Sequence, residues 1–351
     1  MRTYRIALLF GVGVLVATVF AAPAQPSSRI LWNNNGQYVL VGRNMDWFED
    51  MKSNIWALPR GVKRDGLAAT NPLTWTSKFG SVVITGYESV TVDGNNEKGL
   101  ACHFLYLPET KTGTRDGKVP GLTISLWAQY YQDNYATVAE AVKAFEKQPY
   151  QLIMAIEPLS HKPATVRLSL DDASGDTAIL ECIDGKIKVY HNRDYIVMAS
   201  QPTFDKQLEK LREYRGFGGE KSLPSLDEPA DRFTRAAFYA RNLPKPKSNR
   251  DAATAMLGVM RTVAAPVGIA DPKQPNDYTT IWRTVTDLTS GVLYYDSATS
   301  PQVFWIDTRK LDFAEGQPVK KLTVVNNLSL AGDVSDKFQQ TEMFKFLGPE
   351  K

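Results

Sequence analysis

Apolar and β-branched runs, separated by turn residues, set the first reading of the chain. Ser28–Trp32 and Tyr38–Gly42 flank Asn33-Asn34-Asn35-Gly36, and an Asn-Gly pair between apolar runs is a strong hairpin signal. Val82–Thr85 and Ser89–Val92 read as another pair of strands. Leu100–Leu107 has so little polarity that a central strand is expected. Thr137-Val138-Ala139-Glu140 has the spacing of a capping box and opens an amphipathic helix to about Phe145. Thr165–Leu170, Thr177–Ile183 and Lys186–His191 read as strands, the last two joined by Asp184-Gly185. Helices are expected over Asp205–Tyr214, Ala230–Arg241 and Arg250–Val263. Thr279–Thr286, Gly291–Asp296 and Gln302–Ile306 then close the chain as strands. Strands and helices come in blocks and do not alternate, so antiparallel sheets with helices packed outside fit better than a doubly wound sheet. The Gly/Pro/Ser-rich stretch 216–229 reads as an insertion within one domain.

The first residues follow a different pattern. Arg2 and Arg5 precede an apolar run from Ile6 to Ala22, and Ala22-Pro23-Ala24 supplies small residues for a signal-peptidase site. The expectation is a signal peptide over 1–24, a short propeptide at Gln25-Pro26 and a single domain over 27–351. Export to the periplasm or medium follows, with no stable membrane anchor afterwards.

Among the 351 residues, Lys and Arg number 41 and Asp and Glu 38, a net charge of +3. Setting Arg2 and Arg5 aside with the leader leaves a near-neutral chain, which argues against a dedicated nucleic-acid binder. Only two cysteines occur, Cys102 and Cys182, both in apolar strands and expected as buried thiols, although the sequence leaves a bridge between them open. Three histidines leave little room for a histidine-rich metal site, and His103 reads as a packed or surface residue, not a ligand. The chain lacks a Gly-x-Ser-x-Gly elbow, Ser-x-x-Lys, Cys-x-x-Cys, His-Glu-x-x-His and a phosphate-binding loop. No metal or organic cofactor is expected.

What remains is Ser27, just after the expected export site. A serine at a mature N-terminus carries its own general base, because its α-amine has an unperturbed pKa of about 7.7–8.0. A three-residue loop with Gly36 in the left-handed region would place Ser27 opposite Arg43, and a two-residue Asn35-Gly36 turn would place it opposite Asn44. The first register is favoured, since it sets a guanidinium beside a nucleophile that must carry negative charge. Asp46, at the strand end, is then placed to hold an α-ammonium. From spacing alone, an exposed serine with a surface Arg and Asp remains open. Trp32, Trp47, Phe48 and Trp56 divide between core and a hydrophobic wall for an acyl chain.

Ser27-Ser28-Arg29 through Gly42-Arg43-Asn44-Met45-Asp46-Trp47, then Pro59-Arg60-Gly61, resembles the start of a choloylglycine hydrolase. Further matches come in family order: Asn96-Glu97-Lys98-Gly99-Leu100-Ala101, Gln201-Pro202-Thr203-Phe204-Asp205, Arg232-Phe233-x-Arg235-Ala236 and the Thr286–Tyr295 strands. The resemblance, to the family of bile salt hydrolases and penicillin V acylases, implies an α+β fold: the αββα N-terminal nucleophile hydrolase sandwich. It implies hydrolysis of linear N-acyl amides, a small-molecule substrate and a homo-oligomer, a tetramer in the family. By position it makes Ser27 the nucleophile where the family has cysteine, flanked by Arg43 and Asp46, with Arg232 as a second active-site arginine. Tyr106 stands where penicillin V acylases also have tyrosine, and its N–H would be one oxyanion donor. Ser200 replaces an asparagine whose amide would be the other. The sequence leaves open whether Ser27 is native or an introduced change. A weakened or inactive exported binding protein on the same scaffold is the alternative, and a carboxylate-pair glycosidase a third reading.

Overall fold

The structure, a computed structural model, describes residues 27–158, 161–225, 228–267 and 279–349; the expected leader and propeptide lie outside them. Two large sheets face each other. The first runs, strand beside strand, Val197–Ala199, Ser28–Trp32, Leu40–Trp47, Thr279–Asp287, Val292–Ser297, Val303–Asp307 and Gly332–Asp333, antiparallel apart from its last two-residue edge. The second has nine strands, and Ala101–Tyr106 lies inside it between Val166–Asp171 and Val90–Asn96, as its apolar sequence predicts.

Helices cover both outer faces. On the first sheet lie α3 (Phe204–Leu211), α4 (Pro229–Asn242) and α5 (Asn249–Thr262), packed with Ile30, Trp32 and Leu40 in one core cluster. On the second lie α1 (Trp127–Asn134) and α2 (Val138–Phe145), packed with Cys102, Phe104, Leu168 and Leu180. Met45, Trp47, Trp282, Ile55 and Val82 share a core cluster between the sheets. The order is therefore αββα. Both faces of this sheet are covered, so Ser28–Trp32 and Leu40–Trp47 are buried at every position, their polar residues included. Gly42 permits the close approach of α5: a β-carbon there would sit 2.6 Å from Met260 Sδ.

Several expected elements fall where the pattern placed them. Ser28–Trp32, Thr177–Ile183 and Lys186–His191 match residue for residue. Asp184 and Gly185 both have positive φ, as a type I′ turn requires. Thr137 Oγ1 accepts from Glu140 N–H at 3.2 Å, while Glu140 reaches back to Ala136 N–H at 2.9 Å, one residue earlier than the ideal capping box.

The first hairpin differs from both expected registers. Arg29 pairs with Arg43 and Trp32 with Leu40, so the connection spans residues 33–39. Asn35 is the cause. Its buried Oδ1 accepts from the N–H groups of Gln37 (3.0 Å) and Tyr38 (2.8 Å), curling the chain before the second strand can start. Ser28 pairs with Asn44, so Ser27 falls opposite Met45 rather than Arg43 or Asn44. The slip from the favoured register is two residues, and the side-chain period is two, so Arg43 stays on the face of Ser27.

Candidate active site

Ser27 precedes the first strand at the inner face and is only 3% exposed. Its N–H donates to Ser200 Oγ at 2.6 Å, and Ser200 returns its own N–H to Ser27 O at 3.1 Å. The Asp46 backbone N–H donates to Ser27 Oγ at 3.3 Å. Ser27 is thus held at nitrogen, carbonyl and hydroxyl by two neighbouring strands.

The Asp46 carboxylate does not meet the Ser27 nitrogen, as the sequence reading had it. Oδ2 takes Arg232 Nη1 at 2.6 Å and Oδ1 takes Thr280 Oγ1 at 2.6 Å. The register accounts for this: Thr280 lies directly across from Asp46, and α4 projects Arg232 onto the same point. Burial pushes the Asp46 carboxyl above the usual range, with Arg232 opposing it. The Ser27 nitrogen has Ser200 instead, so the Ser200 hydroxyl is turned toward Ser27's own backbone.

Arg43 sits over the Trp282 ring, its Cζ 5.0 Å from the centroid. Nε and Nη2 both donate to Phe104 O, and Nη1 has no hydrogen-bond partner. Burial lowers its pKa to about 10, against the opposing pull of Asp93 and Asp46. Asp93 is itself buried beside His103 Nδ1 at 2.7 Å and Thr284 Oγ1 at 2.7 Å. Burial works to raise the Asp93 carboxyl, and His103 with Arg43 outweighs it, leaving the group below its ordinary range.

The same carbonyl explains Tyr106. Leu107 N–H donates to Thr165 O at 3.0 Å, so in an antiparallel ladder the alternate residues Tyr106 and Phe104 point their polar groups away from that neighbour. On the far side the register with Val90–Asn96 is a single pair, Asn95 with Ala101. Arg43 reaches Phe104 O from the other sheet, and Tyr106 N–H points to the same side of its strand as that carbonyl.

An apolar pocket opens here. Ser27, Arg43 and Tyr106 line it together with Met45, Trp47, Phe104 and Val92. Trp47 forms part of the wall, whereas Trp32 and Trp56 belong to core clusters and Phe48 is exposed. The structure thus gathers all six residues singled out in the sequence: Ser27, Arg43 and Tyr106 at the pocket, Asp46, Ser200 and Arg232 behind Ser27. Sequence reasoning passed over Thr280, Trp282 and Asp93. Their signal is only their position opposite the Leu40–Trp47 strand, or across the sheets from it, and that requires the register. Among the described residues no cluster of His, Cys, Asp and Glu is arranged to hold a metal.

The layer order defines the class: an N-terminal nucleophile hydrolase sandwich. Residues 27–321 match the choloylglycine hydrolase family of linear amide C–N hydrolases, and the chain belongs to that family. It is an amidase acting on linear amides. It is 38% identical over 338 residues to a penicillin V acylase of Pectobacterium atrosepticum, covering 90% of each chain. A bile salt hydrolase/transferase of Clostridium perfringens is 25% identical over 320 residues, covering 83% of this chain and 94% of the relative. The structure of a penicillin V acylase from Agrobacterium tumefaciens superposes with a TM-score of 0.83 at 43% identity, covering 92% of this chain and 99% of that one.

Proposed function

We propose that the protein hydrolyses N-acyl amides with an apolar acyl group, of the aryloxyacetyl or fatty-acyl kind, using Ser27 as nucleophile. The observation that carries this reading is the opening of Ser27 and Arg43 onto a pocket whose other walls are nearly all apolar. The family match begins at residue 27, which supports removal of 1–26 on export to free the Ser27 amine. The neutral amine then takes the proton from Oγ as Oγ bonds to the amide carbon, and the carbonyl π pair moves onto oxygen. Tyr106 N–H, on the side of its strand that Arg43 reaches, receives that oxyanion. Collapse breaks the C–N bond, and the leaving amine takes the proton. Water, deprotonated by the Ser27 α-amine, then attacks the acyl-Ser27 ester carbon; the C–Oγ bond breaks, Oγ takes that proton back and the acid leaves.

Ser200 acts first on the base in this scheme, its Oγ accepting from the Ser27 nitrogen and so aiming the amine. The site's second oxyanion donor is then weak, and turnover falls below that of an asparagine-bearing site by on the order of 10²–10³.

Intact mass and turnover of one preparation test the reading. The expected result is a chain starting at Ser27 that cleaves penicillin V faster than glycocholate and loses activity in Ser27→Ala. A chain starting before Ser27 that still turns over, or faster cleavage of glycocholate, would overturn it.

A further inference from the structure

We infer that Leu347 limits the length of acyl chain the pocket accepts. The inference deepens the proposed function and rests on that reading of the pocket. Leu347 lines the pocket that Ser27 opens onto, although it comes from the far end of the sequence. The family match ends at residue 321, so Leu347 lies beyond the matched stretch.

The segment that carries Leu347 is fastened along its length. Gln339 and Gln340 pair with Lys321 and Lys320 at the edge of the second sheet. Thr341 N–H donates to Val319 O at 3.0 Å. Phe344 packs edge-on against Trp56, with ring centroids 5.0 Å apart, and Phe346 lies under Arg64 at 5.4 Å. Leu347 is tied at both backbone groups: its N–H donates to Ser89 O at 3.0 Å and its O accepts from Ser125 Oγ at 2.6 Å. Ser125 itself and Val90, next to Ser89, also line the pocket. A backbone held this firmly gives its side chain a fixed origin on the wall, and the neighbours that fix it (Ser89, Ser125) are not those that fix Ser27 (Asp46, Ser200). The substrate's reactive carbonyl is set by Ser27, so a wall elsewhere in the same pocket reads what extends from that carbonyl.

Each methylene buried in such a pocket is worth about fourfold in kcat/KM, and one that meets a fixed wall loses that and more. Shortening the wall residue should therefore move the optimum to longer chains, and enlarging it should move the optimum to shorter ones.

The test uses straight-chain acyl amides of one amine, butyryl to tetradecanoyl, with the mature wild type, Leu347→Ala and Leu347→Trp. The expected result is an optimum displaced to longer chains in Leu347→Ala and to shorter chains in Leu347→Trp, with the shortest amide cleaved within about twofold of wild type by Leu347→Ala. A second arm measures calorimetric binding of the matching carboxylic acids to Ser27→Ala and to its Leu347 double variants. It reads the pocket without turnover, so a wild type that cleaves none of the amides refutes the proposed function while leaving this inference testable. Should Leu347→Ala fail to fold, Ser125→Ala frees the Leu347 carbonyl and is expected to broaden the chain-length profile. Identical profiles in all folded variants, in both arms, would overturn the inference.

Discussion

Arg29 and Arg43 sit directly across from each other on neighbouring strands, both fully buried on the face between the sheets. Burial lowers the pKa of both. Their surroundings differ. Arg29 meets Asp171 at 3.2 Å, Thr177 Oγ1 at 2.7 Å, Ser169 Oγ at 3.3 Å and Tyr195 O at 3.0 Å. Arg43 has a carbonyl, a thioether at 3.6 Å and an indole face, and one nitrogen without a partner. A saturated buried arginine ties the sheets together. An unsaturated one, with a carbonyl and a ring to hold its plane, keeps spare positive charge at the edge of a dry pocket, where a developing negative charge would feel it strongly.

If that contrast is right, the two arginines should fail in different ways. Arg29→Met strands Asp171 in the interior and should cost about 3–5 kcal/mol of stability, read by denaturant unfolding, with activity per folded molecule little changed. Arg43→Met strands no carboxylate at contact distance. It should fold with a modest loss and lower kcat/KM by about 10²–10³. Equal stability losses, or equal activity losses, would erase the distinction. Arg29→Met combined with Asp171→Leu should recover most of the stability lost by Arg29→Met alone, because the uncompensated charge is gone.

The two variants also separate in pH. With Arg43 held at about 10 in the folded enzyme, kcat/KM should rise as the Ser27 amine loses its proton around its unperturbed pKa of about 8 and fall again through about pH 10. Stability responds with the opposite sign. Below pH 10 Arg43 is charged in folded and unfolded chains alike and burial penalises the fold. Above about pH 10 the folded state releases the proton before the unfolded chain does, and that penalty is relieved. An alkaline fall in rate that persists unchanged in Arg43→Met would assign it elsewhere. The smallest expected effect is at Trp282: Trp282→Leu removes a cation–π contact of about 1–2 kcal/mol and should weaken kcat/KM by about tenfold, with Arg29 unaffected.

Most of the sheet scaffold is legible in the sequence because its strands carry local signals: apolar runs bounded by Asn-Gly, Asp-Gly and a cap. What is not legible is of two kinds. Helix α1 is buried from Trp127 through Asp133, so it shows no polar face, and its polar residues bond inward instead, Gln129 to Asp133 at 2.7 Å and Asp133 to Arg64 at 2.7 Å. A helix wetted on no side has no amphipathic period to read. The register of the first hairpin turns on one side chain, Asn35, capping two amides. The identities of the site residues survive the slip only because it is even. Ser27, Arg43 and Asp46 stand out from the export site and the first hairpin, Tyr106, Ser200 and Arg232 come from the resemblance alone, and Thr280 and Trp282 become visible only once the strands are paired.

The two cysteines have a use at the bench. Cys102 and Cys182 are buried free thiols, and burial raises both, Cys182 to about 11. Alkylating reagents attack thiolate, so near neutral pH neither should react at a useful rate in the folded protein. Iodoacetamide should therefore leave wild-type turnover intact. In a processed Ser27→Cys variant it should abolish turnover with a single label per chain. The background is silent, so the label counts correctly assembled active sites directly, and any preparation of the variant can be calibrated by mass rather than by rate.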